Sequence, residues 1–216
     1  FGRILARWSF VVLGAAFGFV LVAAYHTGSF NARDFQLALQ YTVIGELVVI
    51  GLVAINMSAT AISREREDGT LDLLLTTPMT PKAYLSGKLR GLMAYLLPLL
   101  AVPMGTLALA ALYVVTGGLG REDGAMVALT GAVSANRSMV PVLLPEAALI
   151  APLVTIPFMT FCVIIGLQWS LRSKGTLASV VAAVGVVGVI SGIVGLCAWK
   201  SGEGISVLGP VLSAFS

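Results

Sequence analysis

Long apolar runs alternate with short polar breaks along this chain. Five runs, at about residues 8–25, 37–62, 91–115, 147–169 and 176–199, carry almost no charge. Each is close to or above the roughly 20 residues a helix needs to cross a ~30 Å hydrocarbon layer. They are too long and too uniformly apolar for membrane β-strands, which alternate in polarity over about 10 residues. Backbone groups in lipid must find partners within their own segment, which leaves helices. The pattern predicts an all-α integral membrane protein, a polytopic helical bundle with five complete spans. A renewed apolar stretch at 205–215 reads as the start of a sixth.

Composition supports lipid as the solvent. Of 216 residues, 58% are hydrophobic and 11% charged, against about 25% charged in a typical soluble domain. The chain opens on Phe1 with a basic flank already in place and closes at Ser216 within an apolar stretch. Residues 1–216 therefore read as a single transmembrane domain cut at both ends. The first run has no small-residue cleavage site after it and reads as a true span, not a signal peptide.

The placement of charge says more than its sum. With the N-terminus in the cytoplasm, nine of the thirteen lysines and arginines lie inside: Arg3, Arg7, Arg64, Arg66, Lys82, Lys88, Arg90, Arg172 and Lys174. Arg33, Arg121, Arg137 and Lys200 lie outside. The positive-inside rule thus sets the N-terminus as cytoplasmic. Basic residues here serve topology, and nucleic acid is not expected as a partner. Cys162 and Cys197 fall within apolar spans, as small packing residues do. His26, at the outer end of the first span, reads as an interfacial anchor.

Gly14 and Gly18 form a GxxxG pattern, and Gly185, Gly188, Gly192 and Gly195 share one face of the fifth span. Small residues let helix backbones approach closely in lipid, either within one chain or between two. Pro98 and Pro103 lie in the third span, Pro152 and Pro157 in the fourth; each removes a backbone donor and can kink its helix. Glu46 is the one acidic residue well inside a span. A carboxylate there either reaches the outer interface, pairs with a basic residue such as Arg33, or faces a cavity as an intramembrane polar site for substrate or a proton.

Residues 63–90, SREREDGTLDLLLTTPMTPKAYLSGKLR, form the one long charged, turn-rich segment between apolar runs. The second span is expected to leave the membrane near Ile62. Gly69 allows a turn. Residues 70–76 can form a short helix capped by Asp68 or Thr70, with Glu65, Glu67 and Asp68 near its positive end. Leu71, Leu74 and Leu75 make one apolar face, with Asp72 off it. Pro78 ends that helix, and Thr80-Pro81 opens the next as N-cap and first helical residue. From Pro81 to Val115 that helix would be about 50 Å long, so its first turns project from the membrane. Such a segment is either a solvated linker or a docking element for a soluble partner.

Glu65, Arg66, Glu67, Gly69, Thr70, Leu71, Asp72, Leu73, Leu74, Leu75, Thr77 and Pro78, followed by Gly87-Lys88, spell ERE-x-GTL-D-LLL-x-T-P and then GK directly after a second span. This run resembles the permease subunits of type-2 ABC transporters (the ABC-2 family), among them branches that export sodium or serve gliding motility and copper-site maturation. Beyond this loop the likeness is one of topology. The resemblance implies that residues 63–90 are a cytoplasmic coupling loop docking on an ABC ATPase subunit. Glu65, Arg66, Glu67, Asp68, Gly69, Thr70, Leu71, Asp72, Leu74, Leu75, Thr77, Pro78 and Lys88 are its coupling residues. It also implies a second permease domain, identical or not, and residence in the plasma (bacterial inner) membrane.

The chain lacks GxxxxGK[ST]: Leu89 follows Gly87-Lys88, and Lys82 stands where the first glycine would be needed. Without that loop there is no backbone cradle for phosphates. HExxH, zinc-ligand spacings and GxSxG are also missing from the sequence. No catalytic, cofactor-binding or metal-binding residues are expected, and ATP with magnesium is assigned to the partner subunit. The leading expectation is a permease, an exporter, coupled to a separate ATPase. An ion-coupled secondary carrier would need more intramembrane charge than Glu46 and a repeat of broken helices. A non-transporting membrane scaffold or assembly factor is the other competitor.

Overall fold

The computed structural model describes residues 2–69, 81–120, 126–129, 138–141, 143, 145–173 and 175–200. Five helices correspond to the five apolar runs: α1 (Gly2–His26), α2 (Ala32–Glu67), α3 (Pro81–Val115), α4 (Ala147–Arg172) and α5 (Thr176–Lys200). All are long and apolar enough to cross a membrane. Among the described residues the regular structure is helical apart from an antiparallel hairpin of β1 (Met126–Leu129) and β2 (Ser138–Pro141), in register from Met126 with Pro141 to Leu129 with Ser138. A tight turn at Gly117–Gly120 precedes it, with Gly118 and Leu119 in left-handed backbone.

Helix ends follow local chemistry. The last turn of α1 is closed by Ser29 N–H donating to Ala24 O at 3.0 Å and Gly28 N–H to Tyr25 O at 3.1 Å, around Gly28 at φ +79°. This is the left-handed stop that glycine adopts at least cost. Helix α2 runs past Ile62 to Glu67, so the polar cluster at 64–67 is helical rather than loop. It stops where Gly69 takes φ +68°. Helix α3 starts at Pro81, as its N1 proline predicts. Both α3 and α4 run through their prolines as single helices.

Apolar side chains cover the outside of the helices as well as filling the cores. Large apolar side chains such as Leu13, Tyr41, Leu97, Leu149 and Leu177 point outward and are 66–79% exposed, while Ser58, Ser63, Thr106, Ser170 and Ser179 are buried. Hydroxyls inside the helices return to the carbonyl one turn back: Thr42 to Ala38 at 2.7 Å, Ser58 to Ala54 at 2.7 Å, Ser63 to Ala59 at 2.9 Å. Each of these hydroxyls is thus satisfied within its own helix.

The chain packs as two compact units. The first contains α1, α2 up to Leu47, α3 from Leu99, the hairpin and the start of α4. Its core gathers Leu21, Tyr25, Phe35, Leu39, Leu107, Ala110 and Tyr113, with Leu143 and Ala147 closing it. Tyr25 stacks on Phe35 at 4.5 Å and meets Tyr113 edge-on at 5.9 Å. His26 Nδ1 is 3.2 Å from the Tyr113 hydroxyl.

Helices α1 and α3 advance in step within this unit. A Cβ on Gly14 would lie 2.5 Å from Val102, and one on Gly18 2.2 Å from Thr106. The pair is therefore parallel, and the GxxxG pattern serves packing inside the chain.

The second unit contains the rest of α2 and α3, most of α4, and α5. Ile55, Ala59, Cys162, Ala183 and Val187 form its apolar centre. Helices α2 and α4 also run parallel: Gly51 faces Met159 and Ser58 faces Gly166.

Candidate functional site

In the second unit the ends of four helices meet around the polar cluster that closes α2. Gly166 brings α4 so near that an added Cβ would lie 1.9 Å from Ser58 Oγ and 3.1 Å from the Ala59 amide nitrogen. One turn further on, Ser170 Oγ accepts hydrogen bonds from the amides of Ile62 (3.0 Å) and Ser63 (2.9 Å). Two consecutive helical amides held on one buried hydroxyl pin α2 to α4 where the apolar run ends.

The next turn of α2 carries charge. Arg66 donates to the carbonyls of Ser173 (Nη1, 3.1 Å) and Leu171 (Nη2, 3.0 Å), the last carbonyls around the end of α4. Glu67 Oε1 accepts the amide of Thr176, the first residue of α5, at 2.7 Å. A cation thus meets the negative end of one helix dipole and an anion the positive end of the next, the favourable sign in both cases. The turn between α4 and α5 is held from both sides by adjacent residues of α2.

Glu65 ties α2 to α3. Its carboxylate pairs with Lys88 at 2.6 Å and accepts a hydrogen bond from the Tyr84 hydroxyl. Lys88 Nζ also donates to Tyr84 Oη at 2.8 Å and to the Ala61 carbonyl, so all three ammonium donors are used. These groups lie beyond the apolar runs. Partial burial of Glu65 opposes its ionisation, but the bonds from Lys88 and Tyr84 and the Lys88 charge outweigh it and hold the carboxyl below the usual glutamate range. Burial, and then Glu65 beside it, push the Tyr84 phenol up.

Asp68 is exposed and Gly69 makes the turn that leaves α2. Thr70, Leu71, Asp72, Leu74, Leu75, Thr77 and Pro78, with the short helix expected there, lie outside the described residues. Of the loop residues singled out from sequence, Glu65, Arg66, Glu67 and Lys88 converge on neighbouring helices of their own chain. The two ends of the segment thus brace the helices they join.

Glu46 belongs to the first unit. Its side chain is buried, with Oε1 against Gly14 of α1, and Oε2 has no hydrogen-bond partner among the described residues. Nearby, small residues Ala15, Gly18, Ala101 and Gly105 open an apolar groove of about 280 Å³ between α1 and α3, walled by Phe19 and Leu109. Replacing a buried group that lacks a partner by an apolar one of similar length removes a desolvation cost. Glu46→Met should therefore raise the melting temperature in detergent, by the equivalent of about 1 kcal/mol. A lowered melting temperature would show that the carboxyl has a stabilising partner.

The family model described as ABC-2 family transporter protein matches residues 2–205. The chain belongs to this family. It is a multi-pass membrane protein and an ABC transporter permease. Comparison with curated proteins and with solved structures gave no match. The ABC-2 match agrees with the resemblance carried by the ERE-x-GTL-D-LLL-x-T-P run, and it extends the likeness from one loop to nearly the whole chain.

Several members of the site escape sequence reasoning. Ser170, Ser173 and Thr176 stand 107–109 residues from their partners in α2. Tyr84 carries a local signal, because it precedes Lys88 by one helical turn and so shares its face.

Proposed function

We propose that this permease is the membrane half of an ATP-driven exporter, powered by a separate cytoplasmic ATPase subunit. In this reading the N-terminus and the coupling loop at 63–90 lie in the cytoplasm, and the membrane is the plasma membrane, the inner membrane of a bacterium. Residues 1–216 act as one permease domain that pairs with a second across a translocation path. ATP and magnesium stay with the partner. Asp68, Thr70, Leu71, Asp72, Leu74, Leu75, Thr77 and Pro78 supply the contact surface. Glu65, Arg66, Glu67, Gly69 and Lys88 supply its footing. Glu46 is the polar contact for substrate or a proton within the spans.

One observation carries this reading: the 70–80 segment springs from a base tied into four helices by Glu65–Lys88, Arg66 and Glu67. A plain linker needs no such base, whereas a segment that is pushed by a motor does. The full-length protein, co-expressed with an ABC ATPase encoded in a neighbouring reading frame, should retain that ATPase through purification in detergent. Failure to retain any such ATPase would overturn the proposal.

A further inference from the structure

Arg66 and Glu67 are neighbours on α2, carry opposite charges, and grip opposite-signed helix ends across one short turn. Arg66 holds the Leu171 and Ser173 carbonyls at 3.0 and 3.1 Å, and Glu67 holds the Thr176 amide at 2.7 Å. Both are followed within three residues by Gly69, where the chain turns out of α2 toward the 70–80 segment. We infer that these two residues are the joint through which displacement of the 70–80 segment reaches the α4–α5 turn.

The geometry supports a joint rather than a simple brace. A charged group capping a helix end loses its bonds when either element shifts by more than about an ångström, because hydrogen bonds weaken steeply outside their narrow distance range. The α4–α5 turn must then follow the end of α2 or release it. Two caps of opposite sign on adjacent residues resist rotation as well as translation, because turning α2 to favour one withdraws the other. Below them, Ser170 and the Gly166–Ser58 contact keep α4 against α2, so motion entering at Glu67 is delivered to both α4 and α5. The Glu65–Lys88 pair does the same service toward α3. Arg66 and Glu67 are thus positioning residues for coupling.

This inference rests on the ATPase-coupled reading, and the test separates the two. Wild-type permease with its ATPase in lipid nanodiscs is followed by hydrogen–deuterium exchange with and without a non-hydrolysable ATP analogue. In the wild type, nucleotide should change exchange at both 70–80 and 171–179. In Arg66→Ala/Glu67→Ala the change at 70–80 should persist, while that at 171–179 shrinks about fivefold or more, the lower edge of ordinary coupling strengths. Arg66→Lys keeps the charge without the two-pronged geometry. It should give an intermediate loss, and it covers the case in which the double variant does not fold. A purely structural cap would raise exchange at 171–179 with and without nucleotide and leave the nucleotide-dependent difference intact; that result overturns the inference. Absence of an ATPase complex in the wild type would instead overturn the underlying reading.

Discussion

Gly166→Leu should abolish recovery of folded protein, and Gly166→Ala should destabilise it by about 2 kcal/mol, within the usual range for overpacking a core. An alanine Cβ at 166 would meet Ser58 Oγ at 1.9 Å, Ser58 Cβ at 2.8 Å and the Ala59 amide nitrogen at 3.1 Å. The hydroxyl can rotate away, at the cost of its bonds to Ala54 O and Ile55 O. The Ala59 backbone cannot, so α4 must withdraw from α2. Withdrawal also loosens the Ser170 bonds one turn on and the Arg66 bonds beyond. Adding Ser58→Ala should recover part of the loss for Gly166→Ala and little for Gly166→Leu. Gly188→Ala is the control, because nothing lies within 4 Å of a Cβ there. Melting of detergent-solubilised protein by size-exclusion chromatography reads all five variants. Equal melting of Gly166→Ala and Gly188→Ala would show that the close approach of α2 and α4 is unimportant.

The second large effect is expected at Lys88. Lys88→Glu sets two carboxylates together and leaves Ala61 O and Tyr84 Oη without their donor. The pair is partly exposed, which screens the repulsion, so a loss of about 2 kcal/mol is expected rather than the full penalty of a buried ion without a partner. Glu65→Lys/Lys88→Glu should restore roughly half, because the ion pair returns while the Ala61 and Tyr84 bonds do not. A double variant no better than Lys88→Glu alone would assign the role of Lys88 to its hydrogen bonds and not to Glu65.

These expectations show where sequence was legible. Hydropathy alone placed five helices, because 20-residue apolar runs have few other solutions in lipid. Pro81 marked the start of α3 and Gly69 the turn after α2, because each reports a backbone constraint local to itself. The charged cluster at 64–68 was visible as a feature, but its partners were not. Arg66 and Glu67 act on groups more than 100 residues away, and helix-to-helix pairing leaves no periodic trace in the chain.

Glycine shows the same limit. Gly166 and Gly185 look alike in their apolar surroundings, yet one sits against Ser58 and the other has nothing within 4 Å. The GxxxG pattern at Gly14 and Gly18 could serve either packing or dimerisation, and its contacts with Val102 and Thr106 decide for packing. The two-stranded hairpin had no such signal, since Met126–Leu129 and Ser138–Pro141 are each four residues long.

The structure also changes which residues best probe docking. Charge reversal at Glu67 would break the cap on Thr176 and confuse folding with binding. Asp68 is exposed and free of that complication, and Asp72 lies in the segment read as the contact surface. The most direct measurement is retention of the ATPase by Asp68→Lys/Asp72→Lys permease, compared with wild type at equal membrane insertion and equal melting temperature. Retention should fall about tenfold or more, the effect expected when charges at an interface are reversed against their complement. Undiminished retention in a variant that inserts and melts normally would contradict the docking role of the 63–90 segment.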